Sequence, residues 1–362
     1  MTSTRRRRPT LDDVAEAVGV SRATVSNAYN RPDQLSSQLR EQVLRAAKEL
    51  GYPGPNPTAR SLATSRTGAI AFLLDTSLSA AFSDPALSVT LDALAKAVDP
   101  AGHALLLLPG AEAQSGPPAE RVLAAQADIA VAYSLADGTP ALDALHDRGL
   151  PLVVIDQPLL PATARVGCDD RGGAALAARH LLELGHRRFA VLSAPRLSSG
   201  ELSGLEAARA SSFHGTRERL AGYLETLAEA GVTDVAVSET PWLSPDNAGA
   251  SAASLLRGSP RPTALLCMSD QLALAAVAAA RQLGLRVPED VSVVGFDDIP
   301  QAAWADPPLT TVRQDLAGKG RIAGELVLRL LNGPAGAGGL DGGPSPVQLP
   351  VSLIRRDSTA PV

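Results

Sequence analysis

The fold is decided by residues 10–27, which read TLDDVAEAVGVSRATVSN. The first half of this stretch has the three- and four-residue apolar spacing of a helix, set by Leu11, Val14, Ala15 and Val18. Thr10 is placed to cap this helix, and Gly19 supplies the positive φ of a tight turn after it. Ser21 then caps a second helix. Two short helices joined by so tight a turn predict a helix-turn-helix.

The residues that follow complete a small helical head with a face for DNA. Ser37–Leu50 repeats the helical apolar spacing and stops at Gly51, so three short helices are expected to share one core within residues 1–52. The second helix of such a fold enters the major groove, where arginine can bind guanine and asparagine can bind adenine. For Ser21, a helix cap is an equally good interpretation. The predicted DNA-contacting residues of the head are Thr10, Ser21, Arg22, Ala23, Thr24, Ser26, Asn27 and Asn30.

The head is basic, whereas the rest of the chain is acidic. Residues 1–66 hold eleven Lys and Arg against six Asp and Glu, a formal charge of +5, while the whole chain carries −5. The remaining residues therefore carry −10. This asymmetry favours a nucleic-acid partner for the head and a different partner for the body, although a charged tail that is merely solvated has the same signature.

Length and composition limit what the remainder can be. The chain has 362 residues, 45% of them hydrophobic, so two or three domains are expected. No uncharged apolar run approaches the ~18 residues that cross a bilayer, and no apolar stretch follows Arg5–Arg8 as it would in a secretory signal. Cys168 and Cys267 are too far apart in sequence for a CxxC site. These features predict a cytoplasmic protein with no membrane partner.

From Gly68 onward, short apolar runs alternate with helical patterns. Fully apolar strands separated by helices are typical of parallel sheets covered on both faces, so the body is predicted to be α/β. The length of the body favours two lobes, with a ligand between them at the carboxyl ends of the strands. The apolar runs are residues 69–74, 104–108, 129–133, 152–155, 189–192, 235–237, 264–267 and 291–295.

Several stretches together resemble the LacI/GalR family of bacterial repressors. They are residues 10–27, Leu50-Gly51-Tyr52, PNPTARSLA at residues 55–63, Asp169–Ala174, Gly295–Ile299 and Pro307–Val312, and the resemblance covers roughly residues 10–356. It implies a multidomain chain with an all-α helix-turn-helix head, a hinge at residues 53–67 and a two-lobed core at residues 68–362 like that of periplasmic binding proteins. Lobe 1 would comprise about residues 68–165 and 315–332, and lobe 2 about residues 166–314 and 346–357. The chain would cross between lobes near Arg165, near Gln314 and between Asn332 and Pro346.

The resemblance also implies roles for residues of the head and the hinge. Arg22, Ala23 and Asn27 correspond to the three base-reading positions, although Ala23 cannot form a hydrogen bond and many relatives have arginine in place of Asn27. In the family the hinge becomes helical on operator DNA, and a leucine, here Leu62, wedges a base step open. A plain flexible linker is the alternative, because so short a helix is not stable by itself. The hinge residues expected at the DNA are Asn56, Ala59, Arg60 and Leu62.

Candidate effector-binding residues follow the predicted strands. Asp156 and Asp270 each come after an apolar run, Gln314 ends the segment at the second crossing, and Arg219 stands where family members keep an effector-binding arginine. Carboxylates together with a guanidinium suit the hydroxyls of a sugar or a nucleoside, and Phe82 could add an apolar platform. For each of these residues a helix cap or a surface salt bridge is the alternative interpretation.

Other features receive structural interpretations. The aspartates of Asp169–Ala174 and Gly295–Ile299 are expected to cap helices and join the lobes. His186 follows the helix-ending Gly185 and is expected to complement a helix dipole as a cation. Ser193–Arg217 is longer than usual for the family and lies near the expected cleft, either as a lid or as padding.

Catalytic machinery is not apparent in the sequence. The five histidines show no metal-binding spacing, and neither a GxSxG elbow nor a Walker A loop occurs. An enzyme of sugar metabolism is therefore not expected, and neither a cofactor nor a metal is predicted. A solute receptor without a role at DNA is the alternative to a regulator, but it would need a secretory signal. The sequence thus predicts a homodimeric repressor that binds near-palindromic double-stranded DNA under the control of a small-molecule effector.

Overall fold

A computed structural model describes residues 8–55, 61, 64, 66–110, 116–193, 204–240, 245–333 and 345–362. Contacts between residues divide the chain into two units, residues 1–67 and residues 68–362. The four hinge residues predicted to contact DNA, Asn56, Ala59, Arg60 and Leu62, lie outside the described residues.

The first unit is a helix-turn-helix head. Its helices are α1 (Leu11–Val18), α2 (Arg22–Asn30) and α3 (Ser37–Leu50), with a short 3-10 helix at Pro32–Gln34. Val14, Val25 and Val43 bring one fully buried side chain from each helix into a common core. Thr10 caps α1 through a capping box, and Gly19 ends it at a φ of 73°, which glycine adopts without strain. The predicted three-helix head is confirmed.

The second unit alternates strands and helices, as its apolar runs predict. The described strands are β1 (Ala69–Leu74), β2 (Ala104–Leu108), β3 (Ile129–Tyr133), β4 (Leu152–Ile155), β5 (Ala164–Cys168), β6 (Phe189–Ser193), β7 (Val235–Glu239), β8 (Ala264–Cys267), β9 (Ser292–Asp297), β10 (Thr310–Gln314), β11 (Val347–Leu349) and β12 (Val351–Ile354). The described α-helices are α4 (Leu78–Phe82), α5 (Pro85–Val98), α6 (Ala119–Ala124), α7 (Pro140–Asp147), α8 (Asp170–Glu183), α9 (Gly204–Arg209), α10 (His214–Glu229), α11 (Pro245–Leu256), α12 (Asp270–Gln282), α13 (Pro300–Trp304) and α14 (Leu316–Asn332). A 3-10 helix at Asp99–Ala101 follows α5.

These strands form two sheets, one in each lobe. The lobe 1 sheet has the order β11-β5-β4-β3-β1-β2 with all neighbours parallel. The lobe 2 sheet has the order β12-β10-β9-β8-β6-β7, in which β12 runs antiparallel to β10. In lobe 1, Leu94 and Val327 pack on one side of the sheet, and Val122 and Leu145 pack on the other. The predicted two-lobed α/β body with parallel sheets is confirmed.

The chain passes between the lobes where strands end. After β5 it enters α8, which packs on α10 in lobe 2, and after Gln314 it enters α14, which packs on α5 in lobe 1. The first of these crossings follows Cys168 rather than Arg165. A third crossing lies at Pro350, not between Asn332 and Pro346 as predicted, because β11 pairs with β5 in lobe 1 before the chain continues into β12.

His186 is a buried hydrogen-bonding residue rather than a surface cation. Its Nδ1 lies 2.9 Å from Oγ1 of Thr263, and its Nε2 lies 3.1 Å from both Oγ of Ser292 and the carbonyl oxygen of Ala360. Burial lowers the pKa of His186 from its ordinary value of 6.5, so the folded protein favours the neutral ring. The predicted role as a cation at a helix end is therefore wrong.

We expect the protein to lose stability as the pH falls below 6.5, the ordinary pKa of histidine. In this range the unfolded chain binds a proton at His186 that the folded chain does not bind, so acid favours unfolding. The melting temperature measured from neutral pH to about pH 5 is expected to fall less steeply in His186→Gln than in the wild type. His146→Gln, at an exposed histidine, serves as the control and should keep the wild-type slope. Identical slopes in His186→Gln and the wild type would contradict this expectation.

Candidate functional site

The second helix of the head presents exposed side chains at its N-terminal end. The Oγ of Ser21 accepts a hydrogen bond from the Thr24 N–H at 3.1 Å, so Ser21 caps α2. The Arg22 side chain is 72% exposed, and its Nη1 lies 3.7 Å from a carboxylate oxygen of Asp12. Exposed ion pairs of this kind contribute little stability, so the contact with Asp12 holds the guanidinium only weakly. Ala23 beside it is also exposed.

Asn27 has a partner that sequence analysis missed. Its Nδ2 donates a hydrogen bond to Oε1 of Gln34 at 3.3 Å. Gln34 is exposed and belongs to the 3-10 helix that follows α2. No periodic signal connects two residues on different helices across a turn, so this contact could not be read from spacing. Gln34 is therefore in a position to orient the side chain of Asn27.

Thr10 caps α1, and the DNA contact expected of it stays a prediction. Its backbone N–H and its hydroxyl both donate to Oδ2 of Asp13, at 2.6 and 2.8 Å. Ser26 is half-buried on α2, and the side chain of Asn30 is not among those the structure describes.

In the body, polar side chains from both lobes meet at the carboxyl ends of the strands. Lys319, in the first turn of α14, donates hydrogen bonds to Oδ1 of Asp156 after β4 and to Oε1 of Gln314 at the end of β10. Nε2 of Gln314 donates in turn to Oδ1 of Asp297 at 2.5 Å. Since β4 belongs to lobe 1 and β9 to lobe 2, this series of contacts connects the two sheets.

Arg219 completes the group from its place on α10. Its Nε donates to Oδ1 of Asp170 at 2.8 Å, and its Nη1 lies 3.5 Å from Oδ1 of Asp297 and donates to the Met268 carbonyl. The guanidinium carbon lies 3.6 Å from the centroid of the Phe296 ring. Burial alone would lower the pKa of Arg219, but Asp170 and Asp297 raise it above its ordinary value, so the side chain stays a cation.

We call Asp156, Asp170, Arg219, Asp297, Gln314 and Lys319 the interlobe cluster. It is largely shielded from water, since Lys319 is 1% and Asp297 8% exposed. Burial alone would lower the pKa of Lys319, but Asp156 raises it, whereas burial raises the pKa of Asp297 to about 7. Buried charges with shifted pKa values at strand ends are typical of functional sites.

The backbone at two members of the interlobe cluster is strained. Asp156 has a φ of 64° and Asp297 a φ of 118°, in the region that favours glycine. Strained residues persist only when the surrounding structure holds them, and they concentrate at binding and catalytic sites. The strain therefore supports a binding role for the two aspartates.

Asp270 lies outside the interlobe cluster, so the effector contact predicted for it lacks geometric support. Its fully buried carboxylate accepts from the Ile299 N–H at 2.8 Å and from the Thr311 hydroxyl at 2.5 Å. Gly295 leaves room for it, because a Cβ there would lie 2.2 Å from Oδ1 of Asp270. Asp270 thus joins α12 to neighbouring elements of lobe 2. Asp297, for which a structural role is predicted from the sequence, lies in the interlobe cluster where Asp270 was expected, because β9 extends to Asp297.

Of the other four predicted effector-binding residues, three lie in the interlobe cluster and one does not. Asp156, Arg219 and Gln314 are brought together, but Phe82 is 66% exposed at the end of α4 and is not part of the buried group. Asp170 was placed in a structural motif, and no sequence signal marked Lys319. Cys168 is a further neighbour, with Sγ 3.3 Å from Oε1 of Gln314.

The described end of Ser193–Arg217 bridges the lobes beside the interlobe cluster. Nη2 of Arg217 donates to Oδ2 of Asp137 at 2.8 Å, and the Asp137 N–H donates to the Ser212 carbonyl at 2.9 Å. The Gly215 N–H donates to Oε1 of Gln157 at 2.7 Å. Residues 194–203 lie outside the described part of the chain.

The described residues show neither a metal site nor a membrane span. Among them, no group of three or more His, Cys, Asp and Glu side chains is arranged to hold a metal ion. None of the described helices is both long and apolar enough to span a membrane.

Comparison with known proteins gives matches over both units. Residues 10–56 match the family model for bacterial regulatory proteins of the lacI family, and residues 178–359 match the model for a periplasmic binding protein-like domain. An HTH-type transcriptional regulator of Mycolicibacterium smegmatis is 41% identical over 348 residues, covering 92% of each chain. The HTH-type transcriptional regulator IpsA of Corynebacterium glutamicum is 38% identical over 337 residues, covering 89% of this chain and 91% of IpsA.

Solved structures match over nearly the whole length. The lac repressor dimer bound to operator and the anti-inducer ONPF has a TM-score of 0.78 and 29% identity, covering 98% of this chain and 100% of the repressor chain. The complex of the transcriptional regulator CelR with cellobiose has a TM-score of 0.68 and 32% identity, covering 97% and 100%.

Proposed function

The chain belongs to the LacI family of DNA-binding transcriptional regulators, and we propose that it is a homodimeric repressor whose operator affinity depends on a sugar or nucleoside bound at the interlobe cluster. The interlobe cluster is the observation that carries this proposal. It places carboxylate acceptors and guanidinium and ammonium donors of both lobes at one position. Each hydroxyl of a bound polyol could donate to one of these groups and accept from another. The CelR structure that matches this chain contains cellobiose, which agrees with this chemistry.

At the DNA, the residues of α2 divide into two roles. Arg22, Ala23 and Asn27 are proposed to read bases, with Gln34 holding the Asn27 amide. Ser21, Thr24 and Ser26 are proposed to contact phosphates, which set the register of the protein on the duplex. The hinge residues Asn56, Ala59, Arg60 and Leu62 are proposed to enter the minor groove as the family resemblance implies.

Effector control follows from the contacts that join the lobes. A ligand that binds at the interlobe cluster would exchange contacts such as Gln314 to Asp297 and Arg219 to Met268 for contacts with its own hydroxyls. The free energy that favours one arrangement of the lobes would change accordingly. Coupling of this kind between two sites is typically worth about 1–3 kcal/mol.

A second copy of the chain is the proposed partner in the dimer. The matching lac repressor structure is a dimer on its operator. In this chain Trp304, at the end of α13, is 81% exposed. Large aromatic side chains of this kind are common anchors of protein interfaces. A two-fold dimer would bind a near-palindrome with half-sites about one helical turn apart.

Footprinting on duplex fragments from around the gene of this chain tests the proposal. The wild type is expected to protect two half-sites related by two-fold symmetry, and Trp304→Asp is expected to lose this protection at the same concentration and to sediment as a monomer. Leu123→Asp, at another exposed apolar side chain, is the matched control and should behave as the wild type. A wild type that protects none of the fragments would favour a receptor without a role at DNA, and protection by a monomeric wild type would contradict the dimer.

A further inference from the structure

We propose that the effector is an electrically neutral polyol and that the interlobe cluster rejects sugar phosphates and other anions. This inference rests on the proposed function, whose ligand it narrows to one charge class. Three observations support the inference: the partners of the cations in the interlobe cluster, the charged groups around the cluster and the caps of the surrounding helices.

Both cations of the interlobe cluster are already paired with carboxylates. Arg219 contacts Asp170 at 2.8 Å and Asp297 at 3.5 Å, and Lys319 is paired with Asp156. Phosphate sites rely on arginine or lysine charges that remain for the ligand. An anion at the interlobe cluster would have to displace one of these carboxylates and leave that carboxylate buried without a counterion, which is costly.

Acidic groups also outnumber basic groups in the surroundings. Asp84 lies at the start of α5, where its Oδ1 accepts from Gln271 of lobe 2 at 3.3 Å, and its charge contributes to the raised pKa of Asp297. With Asp156, Asp170 and Asp297 it gives four carboxylates, against Arg219, Lys319 and Arg165. Arg165 is itself engaged, because its Nη1 donates to the Asp156 carbonyl at 2.7 Å. Each of the three cations is therefore already engaged by a group of the protein, and none of the three remains for a phosphate.

The helix N-termini around the strand ends are satisfied by side chains of the protein itself. An N-terminus with free N–H groups is a common phosphate site. Here Asp84, Asp169 and Asp315 cap α5, α8 and α14, so a carboxylate occupies each position where a phosphate would bind. Ser269 caps α12 in the same way with its hydroxyl.

A neutral polyol avoids each of these conflicts. Its hydroxyls can donate to Asp156, Asp170 and Asp297 and can accept from Arg219 and Lys319 without separating any ion pair. The charges of the protein then remain balanced while the ligand is bound. The interlobe cluster thus selects a ligand by its charge, whatever the shape of that ligand.

Matched ligand pairs test the inference with the full-length protein. The probes are ribose with ribose 5-phosphate, glucose with glucose 6-phosphate and adenosine with adenosine monophosphate, together with cellobiose, at constant ionic strength. Thermal shift reports binding, and fluorescence anisotropy of a labelled operator reports the response. We expect a neutral member to bind and its phosphate ester to bind at least about tenfold more weakly. A phosphate ester that binds as tightly as its neutral partner, or a panel in which no neutral compound binds, would overturn the inference.

The Asp156→Asn variant tests the cause of the discrimination. Without this carboxylate the Lys319 ammonium loses its counterion, so the preference for the neutral member is expected to fall about tenfold. Asp147→Asn, at an exposed aspartate of α7, is the control and should keep the wild-type preference. An unchanged preference in Asp156→Asn would overturn this assignment of the cause. Should Asp156→Asn not fold, the wild-type comparison still decides the charge class. Operator binding without ligand is measured separately, so failure of this inference is distinguishable from failure of the proposed function.

Discussion

Replacing Arg219 with alanine is expected to abolish the effector response and to lower the free energy of unfolding by about 3–5 kcal/mol. The guanidinium pairs with Asp170 and Asp297 and lies over the Phe296 ring, so its removal leaves two buried carboxylates without their cation. Urea unfolding measures the stability, and operator anisotropy with a bound neutral polyol measures the response. Operator affinity without effector should remain, because the head is a separate unit.

Two further variants separate charge from geometry at this position. Arg179→Ala removes an exposed arginine from α8 and is expected to leave both stability and response near the wild type. Arg219→Lys keeps the positive charge but not the planar fork, so we expect partial recovery of stability with a weak response. A full effector response in Arg219→Ala would place the ligand away from the interlobe cluster.

Replacing Arg22 with alanine is expected to weaken operator binding by about 5- to 150-fold per half-site, the equivalent of ~1–3 kcal/mol. The exposed guanidinium lies 3.7 Å from Asp12, and an exposed ion pair of this kind holds it weakly, so we expect it to exchange this contact for guanine. Selectivity at one base pair of each half-site should be lost. Anisotropy titrations against the operator and its single-base-pair variants measure both effects.

The control for this prediction is Arg45→Ala on α3, which removes an equal charge from an exposed position. It is expected to lower affinity for all duplexes alike, if it lowers affinity at all, because a phosphate contact carries no sequence information. If Arg22→Ala kept the wild-type ranking of base-pair variants, Arg22 would not be a base-reading residue.

The head could be predicted closely because its signals are local. Thr10, Ser21 and Gly19 act within a few residues of their own positions, as caps and as a turn, and the helix boundaries follow from them. Eight strands of the body, β1 to β4 and β6 to β9, were equally visible as apolar runs. The buried strand β10 was not visible in this way, because its sequence, TTVRQ, is largely polar. β5 was not, because Arg165 and Gly167 interrupt its apolar pattern, and β11 and β12 are short and separated by Pro350.

The candidate site was only partly predictable because its contacts are distant in sequence. Asp156, Arg219 and Gln314 stand at the ends of recognisable elements, and the structure brings them together. Asp270 and Asp297 both stand near strand ends, and only the length of β9 decides which of them reaches the interlobe cluster. Lys319 has no local signal, since its importance comes from its ion pair with Asp156, which lies 163 residues earlier in the sequence.

A fluorescence anisotropy titration of full-length protein with its operator duplex at increasing salt, with and without the neutral polyol that it binds, tests whether the chain is an effector-controlled repressor. We predict tight binding that favours the operator over a scrambled duplex, a logarithm of the binding constant that falls linearly with the logarithm of salt concentration, and weaker binding when the polyol is present. Equal affinity for operator and scrambled duplex at every salt concentration, or an operator affinity that the bound polyol leaves unchanged, would contradict the proposal that this protein is an effector-controlled repressor.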